Sequence, residues 1–512
     1  MQKRRFLLHA LLLTASSILL RASSMGYRTY LSTKIGTDGM GLYQLVLSVF
    51  LLAVTVSTSG VSLAVTRIVS KILAAGCPAQ VKSAVRKCIV LALLFSLAAL
   101  ILLFCASNAI ATHLLGDTRV ALSLRLLAVG LPAMACSSCL KGYFLALRGA
   151  TKSACTELFE QFATISAVVA LFTFAAPSGL TYACAAVMLG STFGELCSCA
   201  LSFFFFALQK PRGALVPYPM SAACKDMSHI ALPIMVGSLL RSGLATAEQL
   251  LIPRGLQRYG ASVSTALSQY GILHGMTLPL LLFPAAFLTA FASLLVPEVA
   301  RAHALQHRRT IRRTAARALR LTLLFSFLAA ACCFAFSQPL CTLLYQNSQA
   351  GVLLRFLSPL LPLMYLDAVV DALLKGLDEQ TFSVHCNFAD ASMRTLLVWL
   401  LLPYTGLPGY LCILFFSVIF NAALSLHRLC KVTRLSFPLG KLVVRPILCS
   451  ACAVLPGTLL LPFATSWPAW ISLCAALLLS CLLYAVLLRI TGACTKHDLS
   501  YFKSLLRPSL NS

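Results

Sequence analysis

The sequence predicts an all-α integral membrane protein with fourteen transmembrane helices, and three observations support that prediction. First, 59% of the 512 residues are hydrophobic and 11% are charged, with a mean hydropathy of +0.88. A soluble domain carries about 25% charged residues and could not bury this much apolar surface. Second, the hydrophobic residues form runs long enough to cross the bilayer as helices. Third, the basic residues concentrate in every second segment between these runs.

Fourteen hydrophobic runs have the length that a membrane-spanning helix needs, about 20 residues. The predicted spans are residues 7–29, 42–65, 88–107, 120–146, 157–176, 181–208, 229–250, 271–296, 318–345, 352–374, 383–403, 408–427, 443–463 and 467–488. The first run follows Lys3, Arg4 and Arg5 as a signal peptide would. Because no convincing cleavage site follows it, the run is predicted to be retained as the first span.

The basic residues predict the orientation of the spans. With the N-terminus in the cytoplasm, the cytoplasmic segments hold 31 Lys and Arg residues and the outer loops hold 4. Adding or removing one span would invert every later loop, so this asymmetry supports the count of fourteen and the cytoplasmic placement of both termini. The net charge of +27 is also typical of nucleic-acid-binding proteins. Here the charge lies in short segments between apolar runs, which argues against nucleic acid as a partner.

An internal repeat predicts two lobes. Residues 17–23 and 236–243, in the first and seventh spans, both contain Leu-Leu-Arg next to small residues. Six spans separate the copies, so both enter the membrane in the same direction, and a substrate cavity is expected between the lobes. The predicted parts are an N-terminal lobe, a C-terminal lobe with a basic cytoplasmic segment at 301–320, and a last pair of spans with a cytoplasmic tail, at residues 1–209, 210–430 and 431–512.

Charged residues inside the first and seventh spans are the candidate substrate-binding residues. They are Arg21, Arg28, Arg241 and Glu248, and within each span the two charged residues are seven positions apart, on one helix face. An arginine at the bilayer centre costs about 2.5–3.5 kcal/mol on insertion scales, so it is expected to face a wet cavity or a partner. The pattern predicts a positively charged cavity for an anionic headgroup. Alternatively, Arg21 and Arg241 form buried ion pairs that hold the lobes together, and Arg28 extends to the membrane surface.

A second group of charged residues lies in the tenth and eleventh spans. Asp367 and Asp371 are four residues apart, as are Asp390 and Arg394. They are the candidates for coupling transport to a proton or sodium ion, although Asp390 and Arg394 could also simply pair along their helix. In the basic segment 301–320, arginines at spacings of three and four predict a helix along the inner membrane surface that attracts anionic lipids.

The remaining motifs exclude several classes of function. The sequence has no phosphate-binding loop of a built-in ATPase and no nucleophile elbow or zinc-protease motif, so an enzyme is not predicted. The 21 cysteines lie mostly in apolar runs without histidines at zinc spacing, so neither a metal site nor a cofactor is predicted. Glu157, at the start of the fifth span, is explained by the helix dipole.

Several strings along the chain resemble the stage V sporulation protein B family. They are Gly26-Tyr27-Arg28, Gly39 through Leu45, Ser59-Gly60-Val61, Ala231 through Ile234, Tyr270-Gly271 through Pro297, Tyr365-Leu366-Asp367, Leu374 through Leu377, Asn387 with Asp390 and Arg394, and Ser425 through Leu429. The resemblance covers nearly the whole chain. It implies membership of the multidrug/oligosaccharidyl-lipid/polysaccharide exporter superfamily, with the fold of MATE transporters and MurJ-type lipid II flippases. In those flippases, two six-helix lobes carry two extra C-terminal helices.

The resemblance also implies a function. In MurJ-type flippases, arginines on the first helix are implicated in binding the lipid-linked pyrophosphate, and Arg21 matches that position, whereas Arg28 is one residue out of register. The chain is expected to be a monomeric flippase in the bacterial cytoplasmic membrane. Its substrate would be a lipid-linked anionic oligosaccharide of the undecaprenyl-pyrophosphate type, with membrane lipids and envelope-synthesis enzymes as partners. The alternatives are a cation-coupled exporter of small amphipathic molecules and a membrane scaffold for envelope synthesis.

Overall fold

A computed structural model of the chain describes residues 2–147, 149–175, 179–209, 216–435, 443–463 and 468–492, with side chains from Ser16 onward. All regular structure in these ranges is helical, which confirms the predicted all-α class. The basic residues Arg148, Lys210, Arg212, Lys441, Lys496, Lys503 and Arg507 lie outside the described residues.

The helices follow one another with short connections. They are α1 (Gln2–Thr58), α2 (Val61–Ala74), α3 (Val81–Ala109), α4 (Val120–Ala128), α5 (Leu131–Ala146), α6 (Ala150–Ala175), α7 (Leu180–Leu208), α8 (Met220–Tyr259), α9 (Val263–Tyr270), α10 (Leu278–Leu282), α11 (Ala285–Ala304), α12 (Arg308–Ala335), α13 (Ser337–Tyr345), α14 (Ser348–Leu357), α15 (Leu361–Gly376), α16 (Gln380–Thr433), α17 (Arg445–Phe463) and α18 (Ala469–Ile490). Two π-helical turns, Ile110–Leu115 and Gly271–Thr277, follow α3 and α9.

The helices make this chain a multi-pass membrane protein. In the described ranges, 11 helical stretches are long and apolar enough to cross a bilayer, or up to 12 if α4 and α5, which meet at an angle of 41°, form one span. Two stretches, of 59 and 54 residues, are far too long to be single spans. At about 1.5 Å per residue they greatly exceed the roughly 30 Å hydrocarbon core.

The long helices α1 and α16 each contain one glycine with a non-helical backbone. Gly36 in α1 has φ 68° and ψ −172°, and Gly406 in α16 has φ 62° and ψ −155°. The sequence analysis places a loop between two spans at each of these positions. The structure does not by itself establish the count of fourteen spans, which stays a prediction.

Two compact units make up the chain, Met1–Gly271 and Ile272–Ser512. In the first unit, α6 packs along α7, α2 and α3 pack on α5, and α1 contacts α6, α8 and α9. In the second unit, α11, α12 and α15 enclose an apolar core, and α17 packs on α18 and on α12. This division does not test the predicted lobes, their boundaries or the repeat, which stay predictions.

The basic segment 301–320 differs in one respect from the expectation. Arg301 lies in the last turn of α11, and the other six arginines occupy the first turns of α12, which continues without a break to Ala335, so they do not form a separate surface helix. Ile311, Ala315 and Leu319 are buried on one face of this stretch. A helix of 28 residues is longer than the hydrocarbon core is thick, so the basic turns can extend beyond it.

Candidate functional site

Arg21 lies on α1 beside a polar pocket, and its side chain is exposed. The pocket, which we call the serine pocket, has a volume of 340 Å³. It is lined by Ser16, Ser17, Leu20, Ser62, Lys141, Leu145, Ser153, Ala154 and Glu157. Lys141 Nζ and Glu157 Oε1 are 3.3 Å apart and form an ion pair in its wall. The pocket therefore offers hydroxyl groups one helical turn from Arg21.

Arg241 is exposed on α8 and has no hydrogen bond or ion pair with the residues that the structure describes. Its neighbour Ser242 places its Oγ 2.9 Å from Thr55 Oγ1, which holds α8 against the second half of α1. Seven residues further along, Glu248 is 5% exposed. A ligand can reach Arg241 but not Glu248 in this structure. The predicted convergence of Arg21, Arg28, Arg241 and Glu248 on one central space stays a prediction.

Arg28 is half-buried in a partly open polar pocket of the first unit. It lines a cavity of 240 Å³ between α1, α4, α6 and α7, which we call the Arg28 cavity. The full lining is Ser24, Tyr27, Arg28, Tyr43, Leu47, Phe50, Leu127, Gly130, Glu160, Gln161, Thr164, Ser191, Thr192 and Glu195. Arg28 Nη1 and Glu160 Oε2 are buried there without a hydrogen-bond partner among the described residues.

Sequence reasoning missed the glutamates of this cavity. Glu160 and Glu195 lie in the fifth and sixth predicted spans, where a carboxyl group is as costly as the arginines of the first span. Their position inside apolar runs was the available signal. The helix dipole explains Glu157 at its helix start but does not explain Glu160 or Glu195.

In the second unit, Asp390 contacts Arg394 and Ser417. Its Oδ2 lies 3.8 Å from Arg394 Nη1, one turn along α16, and its Oδ1 accepts a hydrogen bond of 2.6 Å from Ser417 Oγ. Asp390 is 8% exposed. The structure thus confirms that Asp390 and Arg394 pair along their helix.

Asp371 and Asp367, on α15, differ in their partners. Asp371 Oδ2 is 2.6 Å from Lys375 Nζ, and Asp371 also accepts a hydrogen bond from Ser383. Asp367 Oδ2 accepts a hydrogen bond of 3.0 Å from Asn421 Nδ2, and no cation pairs with it in the described part of the chain. Of the three aspartates proposed for ion coupling, Asp367 is therefore the one whose negative charge is not balanced by a neighbouring cation. Sequence reasoning did not identify Asn421.

Two further acidic groups lie at the ends of spans. Burial alone would raise the pKa of Asp117, but the hydrogen bonds and charge of Arg119 outweigh burial and lower it. Asp226 lies 3.2 Å from Lys71 Nζ and accepts a hydrogen bond of 3.0 Å from Tyr218. Burial and Asp226 raise the pKa of Tyr218 to about 12. The ion pairs of Asp117 and Asp226 stabilise helix ends.

Comparisons with known proteins agree with this architecture. The model of the family described as polysaccharide biosynthesis protein matches residues 7–303, and the MatE family model matches residues 258–400. Stage V sporulation protein B of Bacillus subtilis (strain 168) is 25% identical over 416 residues, which cover 80% of each chain.

Two solved structures show the same fold. The lipid II flippase MurJ, in an inward closed conformation, aligns with 97% of this chain and 100% of its own, with a TM-score of 0.70 and 12% identity. An inward-facing multidrug resistance MATE family transporter aligns with 84% of this chain and 100% of its own, with a TM-score of 0.62 and 14% identity. At these identities the structural likeness establishes the fold alone, and it confirms the predicted MATE-like and MurJ-like architecture.

Proposed function

We propose, on the premise that the chain belongs to the polysaccharide biosynthesis protein family, that it is a flippase for a lipid-linked anionic oligosaccharide. The substrate would be of the undecaprenyl-pyrophosphate type, as in a peptidoglycan precursor, and would move from the inner to the outer leaflet by alternating access. The match of the family model to residues 7–303 is the observation that carries this function. The sporulation relative and the flippase fold support it. The activity is transport rather than catalysis.

Arg21 and Arg241 would bind the pyrophosphate. Both lie within helices that are apolar enough to span the membrane, and both side chains are exposed and thus open to a ligand. A guanidinium group binds phosphate through two parallel hydrogen bonds, which suits recognition of a charged headgroup. Glu248 is buried and Arg28 lines a separate pocket, the Arg28 cavity, so we leave both out of the headgroup site.

The last two helices would hold the lipid tail. α17 and α18 pack on each other and present large apolar side chains to the outside, with Leu459, Leu478 and Leu482 each at least 65% exposed. A polyprenyl chain can pack on such a surface without burying a polar group. We propose that the monomer presents both ends to the bacterial cytoplasm, where envelope-synthesis enzymes would deliver the substrate.

Flipping by reconstituted protein tests the headgroup site. Proteoliposomes carrying fluorescent lipid II are compared for the wild type, Arg21→Ala, Arg241→Ala and the double variant. A hydrogen bond to a charged group contributes about 1.5–3 kcal/mol, so each substitution is expected to slow flipping roughly 10- to 100-fold. Arg67→Ala is the matched control, because Arg67 is also exposed on a membrane helix but is predicted to lie at the cytoplasmic end. Equal rates for the double variant and the wild type would refute the site.

A cation-coupled exporter of small amphipathic molecules is the second candidate. The MatE match covers residues 258–400, which include Asp367. In a pump-deficient strain, this candidate predicts drug resistance that Asp367→Asn abolishes and Asp371→Asn, at a carboxylate already paired with Lys375, leaves largely intact. Flipping of fluorescent lipid II without any gain in drug resistance would exclude the exporter.

A further inference from the structure

The Arg28 cavity has the properties of a binding site rather than of a packing defect. Arg28 Nη1, Tyr27 Oη and Glu160 Oε2 are buried there without a protein partner among the described residues. Leaving a buried charged group without a hydrogen bond is costly, so an occupant that both donates and accepts is expected. A volume of 240 Å³ has room for several water molecules. The cavity therefore suits a small hydrated species rather than a drug-sized molecule.

The charges around this cavity do not balance when every group is ionised. Arg28 contributes one positive charge, whereas Glu160 and Glu195 contribute two negative charges. Lys141 also acts electrostatically on Glu195, but its charge is matched by Glu157, 3.3 Å away in the wall of the serine pocket. One negative charge is therefore left over within the membrane span, where an unpaired charge is strongly unfavourable.

A single proton removes this imbalance. Glu160 and Glu195 line the same cavity and are close enough to interact electrostatically. Two carboxyl groups at one site avoid repulsion when one of them is protonated. The other titratable groups that face the pair are Tyr27, Tyr43 and Cys199, which are neutral in their ordinary protonation state.

We propose that the Arg28 cavity is a proton-binding site, in which Glu160 and Glu195 together hold one exchangeable proton opposite Arg28. Its access would run through the serine pocket. Glu157 lines that pocket and Glu160 lines the Arg28 cavity, one turn apart on α6, and Leu20 and Ser24 repeat this relation on α1. The site gives the protein a proton that transport can be coupled to. It does not depend on which molecule is carried.

Infrared spectroscopy of the full chain in lipid nanodiscs tests the proposal, because a protonated carboxyl group has a C=O band that a carboxylate lacks. Spectra at neutral pH without sodium are compared for the wild type and for Glu160→Gln and Glu195→Gln. Each variant is expected to lose the band of one protonated carboxyl, because the remaining glutamate is then balanced by Arg28. Asp226→Asn is the control and should keep the band, since Asp226 is paired with Lys71 and does not line the Arg28 cavity.

Arg28→Met makes the charge count itself testable. Without the arginine, both glutamates should be protonated, so the band should grow by one carboxyl. Adding Glu195→Gln to Arg28→Met should return the band to the wild-type area. If Glu160→Gln and Glu195→Gln both keep the wild-type band, the site holds no proton and the proposal is refuted. If the band is present only without sodium and disappears in sodium buffer, a metal cation is the physiological occupant and the proton assignment is also refuted.

Discussion

Gly36 offers a sharp test of where α1 is broken. Its φ of 68° and ψ of −172° lie in a region of backbone conformation that only glycine adopts readily. A Cβ atom built on Gly36 meets no heavy atom within 4 Å. The substitution Gly36→Ala therefore introduces backbone strain but no steric clash, so its effect reports the conformation alone.

The strain of such a residue amounts to about 1–3 kcal/mol. Gly237, in α8, is the matched control because it is also open within 4 Å but has an ordinary helical backbone. Alanine is favoured over glycine inside a helix by about 0.5–1 kcal/mol. Gly36→Ala is thus expected to destabilise the protein and Gly237→Ala to stabilise it slightly.

Unfolding of the purified full chain in mixed micelles, followed by denaturant titration, measures both effects. The two variants should shift the midpoint in opposite directions. If Gly36→Ala were as stable as Gly237→Ala, residue 36 would have to lie in a continuous helix. The separation of the first two spans at Gly36 would then be wrong, and so would the predicted count of fourteen spans.

Three further predictions concern charges and topology. Asp390→Asn removes the negative charge that faces Arg394 and weakens the hydrogen bond from Ser417, so it is expected to cost about 1–3 kcal/mol in denaturant titrations, whereas Asp367→Asn, at a carboxylate with no paired cation, should cost less; equal losses would contradict this ranking. Because the pKa of Asp117 is lowered, its pair with Arg119 stabilises above the ordinary aspartate pKa of about 3.9 and is lost as pH falls through the lowered value. Asp117→Asn should remove that acid-side loss, about 0–1 kcal/mol at this exposed pair, and an unchanged pH profile of stability would contradict it. A phosphatase reporter active only outside the cytoplasm should be inactive when fused after Ser512 and active when inserted at Lys34, and activity at both sites would overturn the orientation.

The sequence located helices well where an apolar run has clear ends. The predicted span 181–208 corresponds to Leu180–Leu208, and 467–488 to Ala469–Ile490. The placement of helices from the sequence failed where backbone geometry interrupts an apolar run. The predicted span 271–296 is in fact a π-helical turn, the short α10 and the start of α11, broken around Pro279 and Pro284, since proline removes a helical hydrogen bond.

The candidate sites show a similar limit. A charged residue in an apolar run is visible in the sequence, and Arg28 was identified in this way. Its partners were not, because Glu160 and Glu195 lie on other helices, and no local spacing records which helix faces meet. The pairing of Asp390 with Arg394 can be predicted from the sequence because the two residues are one turn apart on one helix.

Carboxyl groups in the membrane helices fall into two classes, those that have a cation within 4 Å and those that do not. Asp371 and Asp390 each have a cation within 4 Å in the second unit, so their charges are balanced by the fold itself. Glu160 and Glu195 have no cation within 4 Å among the described residues, and Arg28, in the same cavity, can balance only one of them. A carboxylate that the fold does not neutralise must be neutralised by something exchangeable, a proton or a bound cation. Exchange of that species between the two sides of the membrane is what can drive a transport cycle, so the energy source of this protein is best sought at the unpaired carboxyl groups.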